Sequence, residues 1–179
     1  DDATVGCKTV VNAAGSWAGE VGRMAGLSDL GIMPRRRTAL LLRLPNGKFD
    51  PKWPLVVDMN EDFYFKPEAG FLLLSPADET PSVACDAQPE EWDLALAVDR
   101  FQRATTLSIS RIEHKWAGLR SFAGDREFVV GYDPRKEGFF WLAGQGGFGV
   151  QSAPGLAKLS ASILLDAPER LPTQLAKYV

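Results

Sequence analysis

Histidine is almost missing from this sequence of 179 residues, since His114 stands alone. No metal cluster can then rest on several histidines, no metal site is expected, and no Ser-His-Asp constellation is evident. Cysteine is nearly as scarce. Cys7 and Cys85 lie far apart without a C-x-x-C or metal-ligand spacing, so disulfide-stapled and zinc-ribbon readings fail and a reducing cytoplasm is the simplest setting. An excess of one charge is also absent: 20 basic and 23 acidic residues, mixed along the chain, leave a formal net charge of −3. No basic face follows, which makes nucleic acid a poor partner. The longest apolar runs, such as Ala39–Leu42 and Phe139–Ala143, are strand-sized. They fall far below the roughly 18 residues that suggest a membrane span. The opening DDATVGCKTVV lacks the basic n-region and apolar h-region of a signal peptide. A soluble protein with no membrane span is expected.

What is present is a substantial apolar fraction, 45%, enough to bury the core of one domain or of two lobes. Val10-Val11-Asn12-Ala13-Ala14-Gly15 reads as a buried strand running into a glycine turn. Ser16 is placed as the N-cap of a short helix that ends near Ala25, with Gly26 beyond it in the left-handed conformation. After Pro34 the pattern turns to period two and apolar runs, over Thr38–Leu44, Leu55–Asp58, Phe63–Lys66 and Phe71–Ser75. The connections Pro45-Asn46-Gly47 and Pro67-Glu68-Ala69-Gly70 favour antiparallel pairing. Pro89–Leu107 reads as the clearest helix, with Pro89 near its first turn and Leu94, Val98 and Phe101 on one stripe. Ser108–Trp116 and Phe128–Tyr132 read as strands separated by a polar loop, Ser121–Glu127. Phe139–Ala143 is a further short strand, and Ser152–Asp166 a last helix with Leu156, Leu159, Ile163 and Leu164 on its apolar face. The fold class expected is therefore α+β, a mixed, largely antiparallel sheet with flanking helices.

The stretch GFFWLAGQGGFGVQSAPG carries Gly144, Gly146 and Gly149 in G-x-G-x-x-G spacing between a strand and a helix. A dinucleotide fingerprint also needs a second parallel strand carrying an acid within about thirty residues. After Gly149 come a helix, Pro168 and Pro172, and Glu169 sits in that proline-punctuated tail, so the reading is weak. The simpler physics remains. A strand, a glycine turn and a helix start gather backbone N–H groups and the positive end of a helix dipole, and the missing side chains let a ligand approach. A turn made only for structural reasons accounts for the same glycines.

Four blocks taken together carry a resemblance: VVNAAGSWAGEVGRMAGL, FYFKPEAGFLLLSP, WAGLRSFAGDREFVVGYDP and FFWLAGQGGFGVQSAPGLAKLSA. In this order they resemble the C-terminal half of FAD-dependent oxidoreductases of the D-amino-acid oxidase type, the group that includes glycine oxidase and sarcosine or dimethylglycine oxidising enzymes. The resemblance implies FAD as cofactor and a chain that is a C-terminal fragment. Residues 1–30 would be a remnant of the FAD-binding domain, residues 31–138 the substrate-binding sheet domain, and residues 139–179 a C-terminal strand-helix piece of the FAD-binding domain. The fragment alone is expected to be inactive and not to hold FAD tightly.

Residue by residue, the resemblance implies that Ala14, Gly15 and Trp17 run along the dinucleotide. It implies that Gly144, Gly147, Phe148, Gly149, Val150 and Gln151 face the flavin ring and ribityl chain. There the dipole of the following helix would stabilise negative charge on the ring. Gly147 and Phe148 stand where glycine oxidase has polar side chains, so contacts there would come from the backbone. Arg120 matches the arginine that clamps a substrate carboxylate, a task suited to a guanidinium fork. Ser121, beside it, replaces the usual proline. Tyr64 matches a strand tyrosine that lines the substrate pocket. Each has a plainer alternative: a helix start with a core tryptophan for Ala14–Trp17, an ion pair for Arg120, an ordinary sheet aromatic for Tyr64. For Arg35-Arg36-Arg37 a solvated run is favoured over a cation near the flavin, and for His114 a structural role is favoured.

The activity implied is oxidation of the carbon–nitrogen bond of an amino acid or N-methylated amino acid, with hydride passing to flavin N5. Such chemistry asks the protein for alignment more than for acid–base catalysis. The partner would be a small amine or amino acid, and room is left for a homo-oligomer. Two other readings stay open: a non-catalytic binding or interaction module that kept the oxidase sheet, and a self-contained nucleotide-binding domain using Gly144–Gly149.

Overall fold

The computed structural model describes residues 3–28, 30–45 and 49–167. Asn46 and Gly47 of the expected turn, together with Pro168, Glu169 and Pro172, lie outside the described residues. The chain forms two compact units, one from Asp1–Pro34 with Arg120–Val179 and the other from Arg35–Leu119. Among the described residues no helix is long and apolar enough to cross a membrane.

The first unit holds a three-stranded sheet. β1 (Val10–Asn12) runs parallel to β9 (Phe139–Ala143), and β9 pairs antiparallel with β8 (Val129–Tyr132). Helix α1 (Ala18–Met24) packs on it, and Ala18, Leu27, Ile32, Phe139, Trp141 and Ala143 form the core. Gly22 is required there, because a Cβ would come within 2.5 Å of the Trp141 ring. The buried Asp133 carboxylate accepts the Trp141 indole N–H at 2.9 Å and the Arg135 guanidinium at 2.7 Å. The arginine bond, followed by the indole bond, outweighs burial and holds this carboxyl well below the usual range. Ser16 does not cap α1. It lies inside a 3-10 turn, Gly15–Trp17, that precedes the helix, and no side chain bonds the cap.

The second unit is built on an antiparallel sheet ordered β3 (Val56–Val57), β4 (Tyr64–Glu68), β5 (Phe71–Ser75), β2 (Met33–Arg43) and β6 (Thr80–Pro81). β7 (Arg111–Phe122) also pairs with β2. Helix α2 (Glu91–Ala104) buries Leu94, Ala97 and Phe101 in one cluster with Leu40, Leu42, Phe65, Leu72 and Leu74 of the sheet. Phe65 and Phe101 meet edge to face at 5.2 Å. Together with the parallel β1–β9 pair, this gives the expected mixed, largely antiparallel α+β class.

Several boundaries differ from the sequence reading. Pro89 precedes α2, whose N-cap is Glu90 in an extended conformation. Pro67 lies within β4, paired with Leu72, so the turn shrinks to Ala69-Gly70. β7 runs on to Phe122 and takes Ser121 out of the expected loop. The last helix, α3 (Gly149–Leu164), starts three residues early and carries Pro154 inside it. A proline inside a helix removes one backbone N–H donor. Here only the bond that would reach back to Val150 is lost, and the helix continues.

Candidate functional site

Because β1 and β9 are parallel, both strands release the chain at the same edge of their sheet, β1 into Ala13–Trp17 and β9 into Gly144–Gly149. The carboxyl edge of parallel strands is where ligands of α/β sheets bind. Asn12, 1% exposed, builds the first turn: its Nδ2 donates to the Ala18 carbonyl at 2.8 Å and its Oδ1 accepts the Ala14 N–H at 3.3 Å. Gly15 at φ +56° takes the left-handed corner, and the Trp17 N–H closes the turn on the Ala14 carbonyl at 3.0 Å. Trp17 is 45% exposed, which removes the core-tryptophan alternative.

The second turn depends on Gly144 and Gly146, at φ +75° and +52°. A Cβ on Gly146 would stand 2.6 Å from the Phe122 ring, and one on Gly144 3.1 Å from the Glu127 carbonyl. Gly147 has no such backbone demand, but a Cβ there would come to 3.0 Å from Nη1 of Arg120. Phe148, exposed, then serves as the N-cap of α3 with no side-chain bond to the helix, and no acidic residue sits in the first turn. The amides of Gly149, Val150 and Gln151 thus open the helix without a side-chain acceptor, at the positive end of its dipole. Val150 is 95% exposed.

The end of β7 joins these two turns. The Ser121 carbonyl accepts the Gly146 N–H at 2.8 Å, and the Ser121 hydroxyl lies 3.2 Å from the Ser16 hydroxyl. The Arg126 guanidinium covers the Phe122 ring at 4.6 Å. The structure therefore brings together Ala14, Gly15, Trp17, Arg120, Gly144 and Gly147–Gln151 within one unit. Backbone N–H donors, missing Cβ atoms and a helix start suit a flat group carrying negative charge.

Tyr64 belongs to the second unit. It lies half-buried on β4, opposite Val57 and Ser75. His114 is exposed and stacked on Trp116 at 5.6 Å. The arginine run is not solvated: Arg36 bonds Glu90 and Asp93, Arg37 bonds Glu79, and the Arg35 guanidinium donates to the Glu79 carbonyl. Asn12 and the Ser16–Ser121 pair do not stand out as site residues in the sequence. Asn12 left a signal, a buried-looking strand that ends on an amide just before a glycine turn. The serine pair left none, because its members are 105 positions apart.

The family model described as FAD dependent oxidoreductase matches residues 1–163. The chain is 27% identical over 90% of its length to the FAD-dependent oxidoreductase domain-containing protein 1 of Mus musculus, of which it spans 36%. It is 27% identical over 95% of its length to the glycine oxidase of Geobacillus kaustophilus, spanning 43% of that protein. Among solved structures, iminodiacetate oxidase from Chelativorans sp. BNC1 superposes with a TM-score of 0.75 over 97% of this chain and 46% of its own, at 18% identity.

Proposed function

Since the chain belongs to the FAD dependent oxidoreductase family, we propose that it supplies the substrate-binding sheet and one wall of the FAD site in a longer enzyme. Its reaction is oxidation of a carbon–nitrogen bond in an amino acid or N-methylated amino acid. FAD is the cofactor of the family, and the chemistry it brings when bound is acceptance of a hydride from the carbon beside the nitrogen. Residues 1–30 and 139–179 are read as pieces of the FAD-binding domain and residues 31–138 as the substrate-binding sheet domain, of which Arg120–Gly138 group with the first unit. Ala14, Gly15 and Trp17 would border the dinucleotide, while Gly144 and Gly147–Gln151 would hold the ring and ribityl chain through backbone N–H groups. The uncapped start of α3 favours negative charge at that position. Support for an amine or amino-acid substrate comes from two similar proteins, a glycine oxidase and an iminodiacetate oxidase. A cytoplasmic setting is part of the same proposal, supported by Cys7 and Cys85 as exposed free thiols.

The observation that carries the reading is the position of Arg120. Its guanidinium lies against Gly147, beside the turn and helix start assigned to the flavin. A planar fork there would bind both oxygens of a substrate carboxylate and so aim the neighbouring carbon. Tyr64 would hydrogen-bond or gate the substrate, a role that rests on the resemblance of its strand. In the full-length enzyme, Arg120→Ala should raise KM for an amino-acid substrate at least tenfold, roughly the loss of one hydrogen bond to a charged group. An unchanged KM in steady-state assays would remove Arg120 from the role.

A further inference from the structure

We propose that Ser121 is a positioning residue: paired with the Ser16 hydroxyl, it holds the end of β7 so that Arg120 sits correctly beneath the glycine turn. The inference rests on the reading of Arg120 as a carboxylate clamp. Side chains alternate along an extended strand, which puts Arg120 and Phe122 on one face of β7 and Ser121 on the other. The contacts follow that alternation. The glycine turn lies over the first face, where Gly147 meets Arg120 and Gly146 meets the Phe122 ring. On the opposite face the Ser121 hydroxyl, in a residue 7% exposed, meets Ser16 of the 3-10 turn at 3.2 Å. At the strand edge, the Ser121 carbonyl takes the Gly146 N–H at 2.8 Å.

One residue therefore ties the turn after β1 to the turn after β9, next to the arginine that Gly147 meets. In the hydroxyl pair one oxygen accepts from the other, so removing either partner breaks the tie. The buried Ser121 side is left with the larger loss. A proline at position 121 would keep the carbonyl contact and lose the hydroxyl one, so this chain fixes the strand end by a bond that a proline cannot make.

The test uses the full-length protein with FAD bound and acetate as the carboxylate probe, followed by the change in the flavin visible absorbance on titration. Arg120→Ala should abolish the acetate response. Ser121→Ala and Ser16→Ala should each weaken acetate binding about three- to tenfold, the worth of one neutral hydrogen bond. The double variant should be no weaker than the worse single one, because a shared interaction is lost only once. Ser121→Thr, which keeps the hydroxyl, should stay within about twofold of the parent. A purely structural serine pair would lower the unfolding temperature and leave acetate binding unmoved, which overturns the proposal. Additive losses in the double variant overturn the pairing. Should Ser121→Ala fail to fold, Ser16→Ala on the half-exposed turn decides. If Ser121→Ala and Ser16→Ala bind acetate normally while Arg120→Ala does not, only the positioning role falls. If the parent ignores acetate, or Arg120→Ala binds it normally, the clamp reading falls and the positioning role with it.

Discussion

Arg36 reaches three carboxylates from one position on β2. Its guanidinium donates to Glu90 and, at 2.9 Å, to Asp93, and Nε stands 4.0 Å from Asp78. Asp78 and Asp93 have side chains only 6% exposed, so two acids share a buried place with one fork between them. Burial is the main cause that pushes the Asp78 carboxyl upward, the Thr38 bonds oppose it, and the charge of Asp93 adds to it. Without the arginine, both carboxylates would be left buried beside each other. Arg36→Leu should cost about 3 kcal/mol of stability at neutral pH, as expected when one partner of a buried pair is removed. A carboxyl whose folded pKa is raised gives stability at low pH and loses it as pH rises through that value. The penalty in Arg36→Leu should therefore shrink in acid. Urea unfolding at neutral and acid pH measures both effects, and a penalty that grew on acidification would refute the assignment.

Glu113 shows the opposite sign. Bonds from Arg111 first, then Arg43, lower its carboxyl from 4.5 to about 2. Its contribution is complete above pH 4.5 and fades as pH falls toward 2. Glu113→Gln should flatten stability across that interval while lowering it at neutral pH. Circular dichroism melts at stepped pH report the slope; a variant as acid-sensitive as the parent would show that Glu113 has no part in it.

At the scale of elements, the β4–β5 hairpin shows what the sequence made legible and what it hid. Leu72 and Leu74 alternate with half-buried Phe71 and Leu73, a period-two pattern that folds as written. Glu68 pairs with Phe71 across a two-residue turn in which Ala69 and Gly70 take φ +49° and +81°. Positive φ at both positions is the primed geometry that suits strand twist. Gly70 announced the turn, but an alanine in a left-handed conformation gives no signal and carries a cost. Ala69→Asn should raise the unfolding free energy by about 0.5–1 kcal/mol, since asparagine tolerates this region better. Equal or lower stability by denaturant titration would show that another contact holds Ala69.

Other elements were hidden because their reasons are distant in sequence. The arginine run reads as solvated until Asp78, Glu79, Glu90 and Asp93 arrive 42 to 57 positions later. β7 looked finished at Trp116, yet the Ser121 bonds to Ser16 and Gly146 need an extended strand through Phe122. The apolar face of α3 places its start at Ser152, whereas the helix begins at Gly149, which brings its dipole onto the glycine turn. Of the candidate site, the glycines and Arg120 were legible as residue types with a resemblance. What joins them was not, because hydroxyl and carbonyl contacts carry no pattern in a single sequence.

At the scale of the whole molecule, the chain spans 36% to 46% of the length of the relatives described above. Its share of the proposed cofactor site is one edge: a left-handed glycine turn, a second glycine turn and the first amides of α3. Ligand sites that hold tightly bury most of the ligand's surface. This edge leaves Trp17 45%, Phe148 57% and Val150 95% exposed, so FAD laid on it would keep much of its surface in water. Few contacts would then offset the loss of translational and rotational freedom on binding. The 179 residues alone should elute from gel filtration free of flavin absorbance after incubation with FAD, while the proposed longer enzyme should retain it. Flavin that travels with the 179 residues would mean that this edge suffices, and that its exposed aromatic and aliphatic side chains close over the ligand.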